Sequence, residues 1–325
     1  MKDNPQARTA ITNASIICGL LLLMACLAGC TSSTPVQPVT TAVPAPPATA
    51  TPAAALQPPA QGISATITTV ALVTTSTPAP VYTYSEGNVI AFAAASLKGV
   101  TPKLAADFEK MYPGHHVVFN LDGTQALRTQ VQNGAYADVF ISASNSYTTE
   151  LTKGGYFVDG TVKPLTSNYI VVILPAGNPG KITSLADLAR PGLKIAMADR
   201  NVPVGTATYA ALANLAKSTY DKEWNASVFK NVVTYETSEP GVATKVALGE
   251  VDAGFVYEST STAAQKGTYT AITILKKDNY LQTYSIGVMK QSTSKGAAAD
   301  FETFMFSEIG QQDLQDYGFR PVSGT

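Results

Sequence analysis

Val89-Ile-Ala-Phe-Ala-Ala-Ala-Ser-Leu97 begins the part of the chain whose pattern decides the fold. Its first six residues are all apolar, as in a strand that is buried on both faces. An amphipathic helical segment follows over residues 102–111. Two further strand segments lie at 116–120 and 138–142, with a helical segment at 124–133 between them. This alternation predicts a parallel sheet covered by helices.

The same alternation begins again after residue 168. Strand segments are predicted at 169–174, 193–198, 232–235, 253–257 and 284–289, and helical segments at 184–189, 206–216, 241–248, 297–306 and 309–317. Two α/β units in one chain predict two lobes. Because ligands of open α/β sheets bind at the carboxyl ends of the strands, we expect the site to lie in the cleft between the lobes.

The turns that follow four of these strands all lead into helical segments. They contain Ser96, the run Asp122-Gly-Thr-Gln125, the run Val202-Pro-Val-Gly-Thr206 and the run Ser238-Glu-Pro-Gly241. A helix N-terminus presents free N–H groups and a partial positive charge. We therefore expect four helix N-termini to face the cleft and to bind a dianion without a buried lysine or arginine. The alternative is that these serine and threonine residues only cap their helices.

The first 82 residues differ in composition from the rest. Residues 1–30 have basic residues near the start, an apolar run over 16–27 and the sequence Leu27-Ala-Gly-Cys30, which is similar to the lipobox of secreted lipoproteins. We expect a lipoprotein signal peptide, an extracytoplasmic location and a membrane anchor on lipidated Cys30; the alternative is an uncleaved anchor helix. Residues 31–82 are rich in Pro, Thr and Ala and predict an extended linker.

Composition excludes several classes of function for the folded part. The net charge is −1 and charged residues make up 14% of the chain, so no nucleic-acid partner is expected. All three cysteines lie in the first 30 residues, and the two histidines are adjacent at 115 and 116. This distribution leaves no thiolate metal site or internal disulfide in the rest of the chain. It also removes most triad and multi-histidine zinc schemes, and no nucleophile elbow or phosphate loop is present.

Several segments, in this order along the chain, together resemble the periplasmic molybdate-binding proteins of ABC importers. They are residues 89–97, Asn133-Gly-Ala-Tyr-Ala-Asp-Val-Phe-Ile-Ser-Ala143, Val202-Pro-Val-Gly205, Gly249-Glu-Val-Asp-Ala-Gly-Phe-Val-Tyr257 and Tyr317-Gly-Phe319. The resemblance covers essentially all of residues 86–321. It implies the two-lobed type II periplasmic-binding-protein fold, with lobe one formed by residues 83–168 and 281–325 and lobe two by residues 169–280.

The resemblance also implies how the ligand is held. Its donors are all neutral: the hydroxyl and amide of Ser96, the hydroxyl of Thr124, the backbone N–H groups of Val204 and Glu239, and the phenol of Tyr257. No cofactor or separate metal site is expected, because the metal enters only inside the oxyanion. A membrane permease is the expected protein partner, and the chain is expected to be a monomer.

Three positions depart from the family pattern. Asp122 precedes the second donor, where it either repels a dianion or ligates the metal centre directly. Pro240 stands where an arginine is more usual and removes one N–H beside Glu239. Val256 stands where octahedral tungstate binders have an acidic residue, which argues against that scheme.

A site made only of hydrogen-bond donors favours anions whose oxygens are all deprotonated. Hydrogen phosphate keeps one proton, which would point at a donor of the site, and this unsatisfied contact costs about 1–3 kcal/mol. Molybdate and tungstate are the expected ligands. The alternatives are another oxyanion or small solute, such as sulfate or phosphate, and, in another class, a secreted lipoprotein enzyme on a similar fold. The motif search favours binding over catalysis, so no enzyme activity is expected.

Overall fold

A computed structural model describes residues 87–262 and 268–322 of the chain. The signal peptide predicted at 1–30, the lipidation predicted at Cys30 and the linker predicted at 31–82 lie outside the described residues. No helix within the two described ranges is both long enough and apolar enough to cross a membrane.

The described residues form an alternating series of strands and helices. The strands are β1 (Asn88–Ala94), β2 (His116–Asp122), β3 (Val139–Ser142), β4 (Lys163–Pro175), β5 (Ile195–Ala198), β6 (Val232–Glu236), β7 (Ala253–Tyr257), β8 (Tyr269–Thr273) and β9 (Leu281–Val288). The α-helices are α1 (Thr101–Met111), α2 (Thr124–Gln132), α3 (Asn145–Lys153), α4 (Pro203–Ser218), α5 (Lys222–Lys230), α6 (Glu239–Ala247), α7 (Lys295–Phe306) and α8 (Glu308–Asp316). Short 3-10 turns lie at Ala95–Leu97, Leu185–Ala189 and Glu258–Ser261.

The strands follow the order β2-β1-β3-β9-β4-β7-β5-β6, with β8 paired to β4. Strand β1 lies between β2 and β3 and is parallel to both. Strand β5 lies in the same way between β6 and β7. The two parallel units are therefore those predicted from the alternating pattern, and the α/β fold class is confirmed.

Strands β4 and β9 connect the two parallel units. Strand β4 pairs with β9 along Lys163–Tyr169 and with β7 along Ile170–Ile173, antiparallel in both cases. One long strand thus contributes to both units. The lobe boundaries after residue 168 and before residue 281 stay predictions; β4 runs through residue 168, and β9 begins at Leu281.

Strand β1 is apolar throughout because helices cover both of its faces. Val89 and Ala91 pack into the larger of two hydrophobic clusters, whereas Ile90 and Phe92 pack into the smaller one with Leu127 of α2. Successive side chains of a strand point to opposite faces, so both faces of β1 need apolar residues. This burial explains why the strand does not show the polar alternation of a half-exposed strand.

Three elements have no counterpart among the sequence predictions: α3, α5 and β8. Only two residues of each helix are buried, so neither presents a long apolar stripe. Strand β8 has no fully buried residue and pairs only with β4. Elements that bury so little apolar surface have weak periodic patterns, and for this reason the sequence does not reveal them.

Candidate functional site

A small cavity lies where the two parallel units meet, with a volume of about 220 Å³ including the solvent at its mouth. Its lining contains all five residues that the sequence predicts as ligand donors. The lining residues are Ala94, Ala95, Ser96, Gly123, Thr124, Ala143, Val202, Pro203, Val204, Glu239 and Tyr257. No lysine or arginine is among them. A space of this size suits a small ligand.

Every lining segment lies at the carboxyl end of a strand in one of the two parallel units. Ser96 follows β1, Thr124 follows β2, Val204 follows β5 and Glu239 follows β6, while Tyr257 is the last residue of β7. Parallel strands bring their carboxyl ends to the same edge of a sheet, where the ligands of such sheets bind. Ala143, which follows β3, completes the lining, so the topology gathers six segments that are far apart in the sequence.

Three α-helices begin at the cavity, and none has a side-chain cap. The residues before α2, α4 and α6 are Gly123, Val202 and Ser238, and the side chain of none of them accepts a hydrogen bond from the first turn of its helix. In α3, α5 and α8, Ser144, Asp221 and Ser307 do accept such a bond, whereas α1 and α7 also lack one. The uncapped first turns leave N–H groups without an intrahelical acceptor, next to the positive end of each helix dipole.

The expectation of four helix N-termini is wrong at the first position. The residues after β1 form the 3-10 turn Ala95–Leu97, and α1 begins only at Thr101. Ser96 therefore lies inside this turn and is not a helix cap. Its Oγ lies 2.8 Å from Oη of the buried Tyr284 on β9. If Tyr284 donates this bond, the hydroxyl proton of Ser96 is available to a ligand.

Thr124 is 1% exposed, and its side chain makes one hydrogen bond to another described residue. Its Oγ1 accepts from the N–H of Ala143, at the end of β3, over 3.1 Å. A hydroxyl can donate one proton while accepting hydrogen bonds through its lone pairs. The bond to Ala143 thus orients Thr124 and leaves its proton for an acceptor in the cavity.

Tyr257 has the least satisfied polar group of the site. The residue is 1% exposed, and among the described residues its Oη has no hydrogen-bond partner. Burial, together with the nearby Tyr284 and Glu239, raises the pKa of the Tyr257 phenol well above its usual range, so the group stays a donor. A buried hydroxyl without a partner costs about 1–3 kcal/mol. A ligand oxygen in the cavity removes this cost.

The two acidic residues near the site behave differently. Oδ1 of Asp122 accepts from the N–H of Gly123 over 2.7 Å, and Asp122 is not among the lining residues. Glu239 does line the cavity and is 5% exposed. Burial raises the pKa of the Glu239 carboxyl to about 7, against hydrogen bonds from Thr260 and from the N–H of Tyr257 that lower it.

Sequence reasoning missed two polar residues behind the lining. Tyr284 contacts Ser96 through its phenol, and Thr260 donates a hydrogen bond to Oε1 of Glu239. Tyr284 lies in a predicted strand, where a tyrosine reads as packing, and Thr260 lies in a 3-10 turn. The phenol of a tyrosine within an apolar strand is the signal that could have identified Tyr284. The sequence around Thr260 contains no such signal.

A wider opening adjoins the cavity, with a volume of about 870 Å³ including solvent. The two spaces share Ala95, Ser96 and Glu239, and Lys98 lies on the wall of the wider one. The uncapped starts of α2 and α4 line only the small cavity. Within 87–262 and 268–322, no group of three or more His, Cys, Asp or Glu side chains is arranged to hold a metal ion.

Comparison with known proteins agrees with this architecture. Residues 89–320 match the family described as bacterial extracellular solute-binding protein. The molybdate-binding protein ModA of Mycobacterium tuberculosis is 32% identical over 232 residues, which cover 71% of this chain and 84% of that protein. YvgL of Bacillus subtilis, whose name includes the words substrate-binding lipoprotein, is 27% identical over 229 residues, 70% of this chain and 84% of that protein.

A solved structure, the periplasmic molybdate-binding protein of Azotobacter vinelandii, is similar with a TM-score of 0.63. It is 21% identical, and the match covers 72% of this chain and 99% of that chain. At this identity the likeness concerns the fold alone. It confirms the predicted two-lobed fold of the periplasmic solute-binding proteins.

Proposed function

The chain belongs to the bacterial extracellular solute-binding protein family, and we propose that it binds molybdate or tungstate in the small cavity and delivers the anion to an ABC importer permease. The observation that carries this proposal is the buried phenol of Tyr257, which has no partner among the described residues and lies in a cavity with no lysine or arginine in its lining. A fully deprotonated oxyanion supplies the acceptors that these donors lack.

The proposed ligand contacts come from both parallel units. Ser96 donates from its hydroxyl and amide, Thr124 and Tyr257 donate from their hydroxyls, and Val204 and Glu239 donate from their backbone N–H groups. The uncapped helix N-termini add partial positive charge without any buried cation. Binding to both units at once favours the closed arrangement of the two lobes, and this closed shape is what a permease distinguishes.

The choice of anion rests on charge, size and similarity. Sulfate is also fully deprotonated, so size has to separate it from the larger metal oxyanions. The similarity to molybdate-binding proteins at up to 32% identity supports the metal oxyanions. Molybdate and tungstate have nearly the same size and charge, so the proposal includes both.

A calorimetric titration of the purified full-length protein tests this function. We expect one-to-one binding of molybdate and tungstate. Phosphate should bind at least about tenfold more weakly, the effect of one unsatisfied contact, and sulfate should bind more weakly because it is smaller. The Ser96→Ala variant loses a hydrogen bond to a charged ligand and should bind about 10- to 100-fold more weakly.

Lys98→Gln is the matched control for a site that relies on neutral donors. Lys98 is exposed and lies on the wider opening only. An exposed charge contributes less than about 1 kcal/mol, so this change should alter the affinity by less than about fivefold. Binding of a different solute, with no heat from either metal oxyanion, would keep the family assignment and overturn the ligand.

We also propose that the mature protein is a monomer held at the membrane by a lipid on Cys30, with residues 31–82 as a tether. The lipobox-like sequence before Cys30 and the similarity to a relative named as a substrate-binding lipoprotein support the anchor. Wild type should incorporate labelled fatty acid, and Cys30→Ser should not. If wild type takes up no label, or the variant is labelled as strongly as wild type, the lipid anchor on Cys30 is wrong.

A further inference from the structure

Glu239 is proposed to contact the ligand through its backbone N–H, but this contact does not explain why its carboxyl also lies in the cavity. Its Oε1 accepts two hydrogen bonds, one from the N–H of Tyr257 over 3.4 Å and one from the hydroxyl of Thr260. Its Oε2 has no partner among the described residues. The residue is 5% exposed and lines both the small cavity and the wider opening. One oxygen is therefore anchored, and the other is left for a ligand.

An ionised carboxylate at this position would oppose the binding of a dianion. Two like charges in a desolvated site repel each other, and an ionised carboxylate can only accept hydrogen bonds. A protonated carboxyl has neither defect, because it is neutral and donates from the oxygen that carries the proton. The anchoring of Oε1 by two donors directs the proton to Oε2.

The surroundings of Glu239 leave it as the group that titrates near neutral pH inside the cavity. Burial raises its pKa to about 7. Burial also raises the pKa of the three phenols that face it, so they stay protonated. The titratable side chains that face it are those of Tyr257, Tyr269 and Tyr284, and Lys98 and Tyr317 line the wider opening that Glu239 also lines.

We propose that the Glu239 side chain determines specificity in this cavity. When a tetrahedral dianion binds, the carboxyl takes up one proton, keeps it on Oε2 and donates a hydrogen bond from Oε2 to an oxygen of that anion. This inference rests on the proposed function, because it requires an oxyanion in the small cavity. The proton comes from solvent, and no covalent bond of the anion is broken.

The sign of the pH dependence follows from the proton uptake. Below about pH 7 the carboxyl of Glu239 already carries the proton, so the affinity for a dianion does not change with pH in this range. Above this pH each bound dianion requires a proton from solvent, and the affinity falls about tenfold per pH unit. The affinity therefore decreases as pH rises, although the charge of the dianion does not change.

The same carboxyl relaxes the exclusion of phosphate at high pH. An ionised Glu239 is an acceptor, and hydrogen phosphate carries a proton that it can donate to Oε2. Phosphate then brings the proton that molybdate must take from solvent. The preference for molybdate over phosphate is expected to shrink as pH rises through the pKa of Glu239.

The test is titration of the full-length protein with dilute molybdate at about pH 6 and about pH 9, in buffers of different ionisation enthalpy. Wild type is expected to take up about one proton per anion at the higher pH and about none at the lower. In Glu239→Gln the amide donates to the anion at every pH. The variant is expected to lose the proton uptake and to bind molybdate at least about tenfold more tightly than wild type at the higher pH.

Glu236→Gln is the matched control, since Glu236 lies at the end of β6 and does not line the cavity. It is expected to keep the wild-type pH profile. Tight binding by wild type with no proton uptake at the higher pH overturns this inference and leaves the proposed function standing. If wild type binds no oxyanion at the lower pH, the proposed function fails and the inference fails with it. Because the proton count is measured on wild type, the test does not depend on the folding of a variant.

Discussion

Replacing Tyr257 with phenylalanine is expected to weaken molybdate binding about 10- to 100-fold, the effect of one hydrogen bond to a charged ligand. The same change should leave the ligand-free protein as stable as wild type or more stable. The reason is that Tyr257 Oη is buried without a partner among the described residues, so its removal relieves a desolvation cost of about 1–3 kcal/mol. Affinity and stability therefore move in opposite directions.

Titration calorimetry and urea unfolding of the ligand-free protein measure the two effects. Tyr284→Phe is the matched control, because it also removes a buried phenol hydroxyl, but one that lies 2.8 Å from Ser96 Oγ. This control should lower the free energy of unfolding by about 0.5–1.5 kcal/mol. If Tyr257→Phe also destabilises the ligand-free protein and leaves molybdate affinity unchanged, the phenol is a packing group and not a ligand donor.

Replacing Gly205 with alanine is expected to lower the free energy of unfolding by at least about 1–3 kcal/mol and to weaken anion binding. A Cβ at this position lies 2.0 Å from the backbone oxygen of Asp199 and 2.7 Å from that of Ala198. These backbone atoms cannot move aside as the end of a flexible side chain would. The first turn of α4 must therefore shift away from β5, and the N–H of Val204 shifts with it.

The control for this change is Gly296→Ala in α7, where the added Cβ meets no heavy atom within 4 Å beyond its chain neighbours and the backbone of its own helix. Alanine at such a helical position should stabilise the protein by about 0.4–1 kcal/mol. Urea unfolding and molybdate titration of the two variants separate the steric effect from the general effect of alanine in a helix. Wild-type stability and affinity of Gly205→Ala would show that the contact between α4 and β5 is not tight.

The sequence predicts the long, strongly patterned elements well and the weakly patterned ones poorly. Strand β1 is recognisable because both of its faces are buried, so its apolar run is uninterrupted. Helices α3 and α5 bury two residues each and show no comparable pattern. The sequence predicts a helix start after β1, where the structure has a 3-10 turn. A serine before an apolar segment is typical of an α-helix start and of a 3-10 turn, so the pattern does not separate them.

The sequence predicts which residues line the candidate site but not the contacts that these residues make with their neighbours. The five predicted donors, Ser96, Thr124, Val204, Glu239 and Tyr257, all line one cavity; their roles as ligands stay predictions. The sequence did not predict that Tyr284 contacts Ser96, or that Asp122 accepts a hydrogen bond from its own neighbour Gly123. These contacts depend on the course of the backbone at the strand ends, which no local pattern contains.

Local patterns along the chain are enough to establish the class of the protein: two α/β units, few charges and an ordered set of motifs that resembles one family. These properties are readable because apolar periodicity and turn residues act over a few neighbouring positions. Three features are visible only in the folded chain: segments spread over residues 96–257 meet at one cavity, the Tyr257 phenol has no partner among the described residues, and the Glu239 carboxyl is buried. The physical reason is that desolvation and hydrogen-bond satisfaction depend on every atom around a group, and most of those atoms come from distant parts of the chain.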